Sequence, residues 1–408
     1  MIPPFPHDET ALRRSIFLTH LTASFFWAAV YIYLPILSPY IQMISGSFKS
    51  VGLVIGAYGL AQLLWRIPLG IWSDRWQKRK LFVLYGFLFD ALAAVGLLFS
   101  VNTAMLFLSV FAAGIAASMW VPFTVLFASY FPAEKLAYSM SLILFSTRVS
   151  QIAANYVGGL VAEAWDWSGP FYLGIGLAAI GFLLANALTE PPPKKISPSS
   201  LRQLLSVGKN SMVILSSLSC IILQFTVFSA PIGFTPLYAQ QIGASKGQLG
   251  MLLFSYQLPN TLATLLSGTY LPIYFSQPLL ILCGFLFIAG SLIFLPLTSQ
   301  LNILYGVQAL NGFGVGLAFP LLMSLALKAV SPEQRATAMG FFQSLYALGM
   351  TAGPIISGII AQELGLSNVF LINGLLAFGA GFLFFKKIKP LLPQNHEARK
   401  NVAVGKNP

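Results

Sequence analysis

Charge is what this sequence has least of. Only 8% of its 408 residues are Asp, Glu, Lys or Arg, and just 11 are acidic. A water-soluble domain commits about 25% of its residues to charge, so the chain does not read as a soluble globule. Histidine is nearly missing. His7, His20 and His396 stand too far apart in sequence to form a metal-binding cluster. Cys220 and Cys283 both fall inside long apolar runs, which excludes a disulfide framework. No segment reads Gly-x-x-x-x-Gly-Lys-Ser/Thr. The nearest match, Gly208-Lys209-Asn210-Ser211, lacks the first glycine and a preceding strand, so ATP hydrolysis within the chain finds no support. No nucleophile–base set stands out either. The expectation is a protein that is not an enzyme and needs neither cofactor nor metal.

What is abundant is apolar surface. Hydrophobic residues make up 57% of the chain and aromatics 14%, with a mean hydropathy of +0.78. Runs of roughly 20 apolar residues, enough to cross a bilayer, recur along the whole length. Backbone groups in lipid must find partners within their own segment, so these runs are expected to be helices. Twelve are expected, at about 15–41, 51–71, 81–100, 104–128, 138–161, 168–188, 211–238, 248–270, 277–297, 302–329, 335–361 and 368–385. The first is too long for a signal-peptide core and no cleavage site follows it.

The net charge of +12 raises the question of nucleic acid, and its distribution answers it. With both termini placed in the cytoplasm, Lys49 and Lys246 are the only basic residues in external loops, which also carry Glu163, Asp166 and Glu363. Apart from Arg66 and Arg148 inside spans, the remaining basic residues face the cytoplasm. That is the positive-inside asymmetry of a multi-pass inner or plasma membrane protein, and it requires no nucleic-acid partner.

The chain also repeats itself. Gly52, Tyr58 and Gly70 recur 198 positions later as Gly250, Tyr256 and Gly268, while Gly114, Pro132, Lys135 and Gly158 recur 200 positions later as Gly314, Pro332, Arg335 and Gly358. A polar stretch with Pro191-Pro192-Pro193 separates the copies. The expected organisation is a six-helix bundle over 1–188, a cytoplasmic linker over 189–210, a second bundle over 211–385 and a tail over 386–408. Parallel halves with a site between them describe one class of secondary transporter. Pro35, Pro39, Pro231 and Pro236 fall in the equivalent first and seventh spans, where prolines let helices bend.

Polar residues inside lipid mark functional positions by default. Asp90 and Arg148 each lie ten or so residues into their spans, ~15 Å deep. Arg148 shares a helix face with Gln151 and Asn155. His20, Trp27 and Tyr31 lie on one face of the first span. Gln224 marks the seventh, Tyr256 and Asn260 the eighth, Asn311 the tenth, and Gln343 and Tyr346 the eleventh. These are the candidate lining of a substrate cavity, with Arg148 placed to hold an anionic or polar group. His20 and Asp90 are the candidates for proton coupling, because histidine titrates near neutrality. The competing reading makes Asp90 and Arg148 a structural ion pair. Arg66, near the end of the second span, is expected to snorkel to the headgroups.

The stretch Gly70-Ile71-Trp72-Ser73-Asp74-Arg75-Trp76-Gln77-Lys78-Arg79-Lys80 concentrates charge between two apolar spans. It resembles the signature loop of the major facilitator superfamily: a glycine, an aspartate four residues on, then a basic cluster. The resemblance implies an all-α membrane fold, with twelve transmembrane helices in two pseudo-twofold-related six-helix bundles that rock about a central site. It also implies that Gly70, Asp74, Arg75, Lys78 and Arg79 form a conformational latch on the cytoplasmic side, with Asp74 meeting the helix start at Ser331-Pro332-Glu333. Gln77 stands where the family has glycine. The region 109–114 lacks the arginine of the superfamily's drug–proton antiporters, and 153–159 lacks their glycine–proline pair. The expected function is secondary active transport, as proton-coupled efflux of a small organic or amphiphilic molecule. The alternatives are uptake or exchange of an organic anion, and a non-transporting sensor or scaffold. The expected partners are a small-molecule substrate, a proton or other coupling ion and the lipid bilayer, with the chain itself a monomer.

Overall fold

A computed structural model describes residues 9–131, 135–190, 207–331 and 334–391. These residues form helices with no strand among them, arranged as two bundles of six spans. In the first bundle the spans are Glu9–Tyr31 continued by Leu34–Ser45, Phe48–Trp76, Arg79–Leu98, Thr103–Ser118 continued by Trp120–Ala128, Leu136–Trp165, and Gly169–Asn186. In the second they are Ser211–Ser229 continued by Thr235–Gln241, Lys246–Thr269, Gln277–Phe294, Leu301–Lys328, Arg335–Leu364, and Leu366–Ile388. Ten spans are long and apolar enough to cross a membrane. The fifth and eighth fall short on apolarity, since Arg148, Gln151 and Asn155, or Gln257 and Asn260, interrupt them.

Turn residues between spans satisfy the helix ends. Ser47 accepts from the Ser50 N–H, Asn102 from Met105, and Asn210 from Met212 and Val213. Ser245 and Gln248 form a reciprocal capping box. The third span has a charged cap from a distance: Glu190, beyond the sixth span, accepts from the backbone N–H groups of Arg79 and Lys80. A carboxylate suits the positive end of a helix.

The first and seventh spans are broken at corresponding places. The first interrupts at Ile32–Tyr33, just before Pro35, and the seventh passes through a π-helical turn over Ala230–Phe234 that contains Pro231. Each proline removes a backbone donor and displaces the preceding turn. The expected breaks are therefore present at equivalent places in the two bundles.

Large aromatic side chains fill the bundle interiors. Phe26, Phe87, Phe123 and Phe127 form the core of the first bundle's terminal half. Phe285, Phe342 and Phe370 are fully buried in the second. Many outward-facing leucines and phenylalanines are exposed, among them Leu108, Leu183, Leu375 and Leu383. An apolar exterior around apolar bundles is the pattern of a protein solvated by lipid.

Candidate functional site

The bundles meet along two equivalent seams. The second span lies along the eleventh, and the eighth lies along the fifth. Both seams close on the side away from the termini, here the far side, and both do so through glycine. A Cβ on Gly52 would stand 2.2 Å from the Pro354 carbonyl oxygen and 3.0 Å from the Gly358 Cα. A Cβ on Gly159 would stand 2.6 Å from the Gly250 Cα. Only a residue without a side chain allows this approach. Of the repeated glycines, Gly52, Gly250 and Gly358 lie at these contact points between bundles.

Each seam ends in a polar corner. In one, Gln362 accepts from the Phe48 N–H at 3.0 Å and Lys49 pairs with Glu363 at 2.6 Å. In the other, Glu163 accepts from the Gly247 N–H at 2.9 Å and Lys246 pairs with Asp166 while its ammonium sits 4.7 Å above the Trp167 ring. In both corners a side chain of one bundle caps a helix start of the other. Lys246 holds the Asp166 carboxyl below the usual carboxylate range, and the Gly247 N–H does the same for Glu163. The sequence marked these charges only as topology signals. Their matched placement, a lone lysine at the start of spans two and eight and acids at the ends of spans five and eleven, was the available clue.

The glycines on the opposite side make no such crossing. A Cβ on Gly70 or on Gly268 would meet nothing within 4 Å, and Trp72 and Trp76 are exposed.

Between the seams lies a polar midplane. Gln151 Oε1 accepts from Arg148 Nη1 at 3.2 Å and from Gln257 Nε2 at 3.3 Å, tying the bundles together. Tyr31 and Tyr256 lie within electrostatic reach of Arg148 and of each other. Trp27 packs edge-on against Tyr31 at 5.8 Å. Asn155 is buried with Oδ1 unpartnered, and Asn260 is buried beside Tyr256. Tyr58 stacks on Phe228 across the interface at 5.8 Å. Just outward of these groups is a small apolar cavity of about 40 Å³ bounded by Tyr31, Tyr33, Tyr58, Val110, Phe228 and Ile232.

Several expected positions fall elsewhere. Asn311 is buried and donates to Ser291 Oγ at 2.8 Å, inside its own bundle; it joins the ninth and tenth spans. Gln224 and Gln343 are half-buried. His20 bonds Ser146 Oγ at 2.9 Å and meets the Phe127 ring edge-on at 4.8 Å, leaving Nε2 unpartnered within the first bundle. Asp90 is 1% exposed and neither carboxylate oxygen has a partner among the described residues. It does not pair with Arg148, and it lies in the electrostatic neighbourhood of Tyr33 and Tyr58. Arg66 overturns its expectation outright. The second helix runs on to Trp76, so Arg66 lies ten residues, ~15 Å, from its end. The side chain is buried and donates to Tyr346 of the other bundle at 3.0 Å. It does not snorkel.

The residue pattern that defines the Major Facilitator Superfamily matches twice, over residues 16–242 and 217–407. The chain belongs to this superfamily. It is a multi-pass membrane transporter of small molecules, not an enzyme. It is similar to a probable sugar efflux transporter of Mannheimia succiniciproducens, 23% identical over 343 residues that cover 80% of this chain and 82% of that one. A multi-drug resistance efflux pump PmrA homolog of Lactococcus lactis is 25% identical over 365 residues, 86% of this chain and 88% of its own. A crystal structure of the nucleoside transporter NupG, in a point-mutant form, superposes with a TM-score of 0.79 over 92% of this chain and 100% of that one, at 17% identity. That likeness concerns the fold.

In the transporter's signature loop, Asp74 faces its own bundle. Its Oδ1 lies 3.5 Å from Arg79 Nη2, and Gln77 Nε2 donates to its backbone carbonyl at 2.6 Å. Arg79 is buried, while Arg75 and Lys78 are exposed. Gln77 closes the second helix with a left-handed φ of 53°, the conformation for which glycine is favoured. The Asp74 contact expected at the eleventh helix start involves residues 332 and 333, which lie outside the described residues.

Proposed function

We propose that the transporter is a proton-coupled exporter of a small organic or amphiphilic molecule, working by alternating access between its two bundles. One observation carries this reading: both glycine seams are shut on the far side, while Gly70 and Gly268 on the other side face open space. A protein shut at one end and parted at the other, with polar residues between, suits a rocking cycle. The reading places the termini and the linker over 189–210 in the cytoplasm, where the basic residues concentrate. It gives the cavity to Trp27, Tyr31, Arg148, Gln151, Asn155, Tyr256, Asn260 and Tyr346, with Gln224 and Gln343 at its margin. Asn311, bonded within its bundle, is left out. Gly70, Asp74, Arg75, Lys78 and Arg79 would close the cytoplasmic side in the opposite state.

Efflux is favoured by the two similar transporters above, both of them named as efflux proteins. Proton coupling is favoured by Asp90, a buried carboxyl whose charge has no protein partner and which a proton would neutralise. The test is flux in proteoliposomes under an imposed pH gradient. Export predicts that substrate moves against the direction of proton flow. Movement with the protons makes the protein an importer, and flux indifferent to pH removes the proton. A second reading, transport of an organic anion, is favoured by Arg148, whose hydrogen bond goes to neutral Gln151 and to no carboxylate.

A further inference from the structure

A guanidinium cannot lose its proton in a protein, so a buried arginine needs an opposing charge or a dense set of acceptors. Arg66 has neither among the described residues. It is 8% exposed, its Nη1 donates to the neutral Tyr346 hydroxyl, and its Nε is buried without a partner. The two bundle acids closest in sequence do not serve it: Asp74 pairs with Arg79, and Asp90 makes no ion pair. An unpaired charge in the hydrocarbon region is costly and calls for a functional account.

The surroundings supply one. Tyr346 is held between Phe319 and Phe342, at 5.9 and 5.7 Å, so the arginine meets a fixed partner on the opposite bundle. Tyr58, two turns away on the same helix, lies within reach of both Arg66 and Tyr31, and Tyr31 lies within reach of Arg148. Tyr31 and Tyr58 of the first bundle thus carry the electrostatic neighbourhood of one arginine into that of the other, and Tyr346 meets Arg66 from the second bundle. Phenol hydroxyls can donate to an anion and their rings can pack on an apolar body.

We infer that Arg66 is a second anion anchor of the central site, working with Arg148, so that the transported molecule carries an ionised carboxylate, sulfonate or phosphate on an aromatic or otherwise apolar frame. The inference rests on the organic-anion reading above and names its recognition chemistry. Arg66 rests on Tyr346. An entering anion takes over the guanidinium, and the free Nε lets it bind with two parallel hydrogen bonds. Because Arg66 and Tyr346 belong to different bundles, occupancy would also change the tie between them.

The experiment uses the purified full-length protein and three probes, benzoate, benzenesulfonate and phenyl phosphate, beside neutral benzamide. A bound probe raises the melting temperature by mass action. At least one anion is expected to stabilise the wild type where benzamide does not. Arg66→Gln should weaken that binding about tenfold or more. Arg66→Lys, which keeps the charge but loses the fork, should recover part of it, and it serves alone if the glutamine variant does not fold. The inference is overturned if no anion outperforms benzamide, or if the variants bind the anion as the wild type does. Flux is measured separately. Anion binding without transport would sink the transport reading and leave the site standing, whereas transport of neutral molecules without anion binding would do the reverse.

Discussion

Replacing Gly52 with valine gives the sharpest test of how the two bundles close. The new Cβ would lie 2.2 Å from the Pro354 carbonyl oxygen and 3.0 Å from the Gly358 Cα. A carbon and a carbonyl oxygen settle at about 3.3 Å or more, so the second and eleventh spans must part by about 1 Å. Both obstructing atoms are backbone, and no rotamer change can clear them. Overpacking of this kind costs about 1–3 kcal/mol. The contact exists only when the far side is shut, so the cost falls on that state. The ratio of far-side-closed to far-side-open molecules should drop by about 5- to 150-fold.

The assay is the distance between spin labels at Val101 and Leu297, with both native cysteines replaced by alanine. These residues are 75% and 74% exposed in equivalent far-side loops of the two bundles. Gly52→Val should move the distribution to longer distances. Gly70→Val is the control, since its Cβ meets nothing within 4 Å and the far-side-closed state should tolerate it. If the signature loop latches the other side, Gly70→Val should instead penalise the opposite state and shorten the Val101–Leu297 distances. A Gly52→Val distribution that matches the wild type would refute the reasoning. So would far-side opening by Gly70→Val of equal size.

Acid should loosen the far side as well. Asp166 and Glu163 have lowered pKa values in the closed corner, so their contribution is complete above the ordinary carboxylate range and is lost as pH falls through the lowered values. Both are exposed, so each contact is worth only about 0.2–1 kcal/mol; a titration of the same distances from pH 7 to 3 should show it, and Asp166→Asn should blunt the response. Gln77→Gly should relieve the left-handed turn, for a net gain of about 0.5 kcal/mol after loss of the Gln77–Asp74 bond, read as a higher melting temperature; a lower one would mean that the bond outweighs the strain. Asp90→Asn should preserve substrate counterflow and abolish flux driven by a pH gradient. Gradient-driven flux that survives the substitution would make Asp90 a structural residue.

The fold was legible because its determinants are coarse. Apolar length gives the spans, and two sets of recurring residues give the duplication. Paired prolines locate the breaks in spans one and seven. The site was less legible, because a stripe of polar residues does not say how its helix is rotated in the bundle. Asn311 looked like cavity lining, yet its face of the tenth span turns to Ser291. Gln257 was passed over because the eighth-span stripe ran through Tyr256 and Asn260, yet the adjacent face meets Gln151. When every side of a helix borders something apolar, periodicity loses its reference direction. Arg66 was misplaced for a different reason. Its depth was counted from residue 71, but the helix continues to Trp76, and the guanidinium turns to Tyr346 of the other bundle instead of to the helix end.

The far-side closure and the terminal-side loop are built from different materials, and that difference follows from the duplication. On the far side each seam has a glycine crossing, a helix start capped by the other bundle and a lysine–carboxylate pair, once for spans two and eleven and once for eight and five. Backbone contact of this kind needs both copies, because one seam cannot close while the other is held apart. On the terminal side the copies have diverged: the loop after Gly70 carries Asp74 and four basic residues, whereas Gly268 to Gln277 carries no charge. A charged loop acts over several ångströms and tolerates imperfect fit, so a single copy can suffice there. The midplane is likewise unequal, since Arg66 and Arg148 both belong to the first bundle while Gln257 and Tyr346, which meet Gln151 and Arg66, belong to the second. The first bundle thus supplies the positive charge and the second supplies the neutral hydrogen-bonding surfaces set against it. A charged substrate held by the first bundle would experience the rocking of the second chiefly as the making and breaking of uncharged hydrogen bonds. These cost little to exchange.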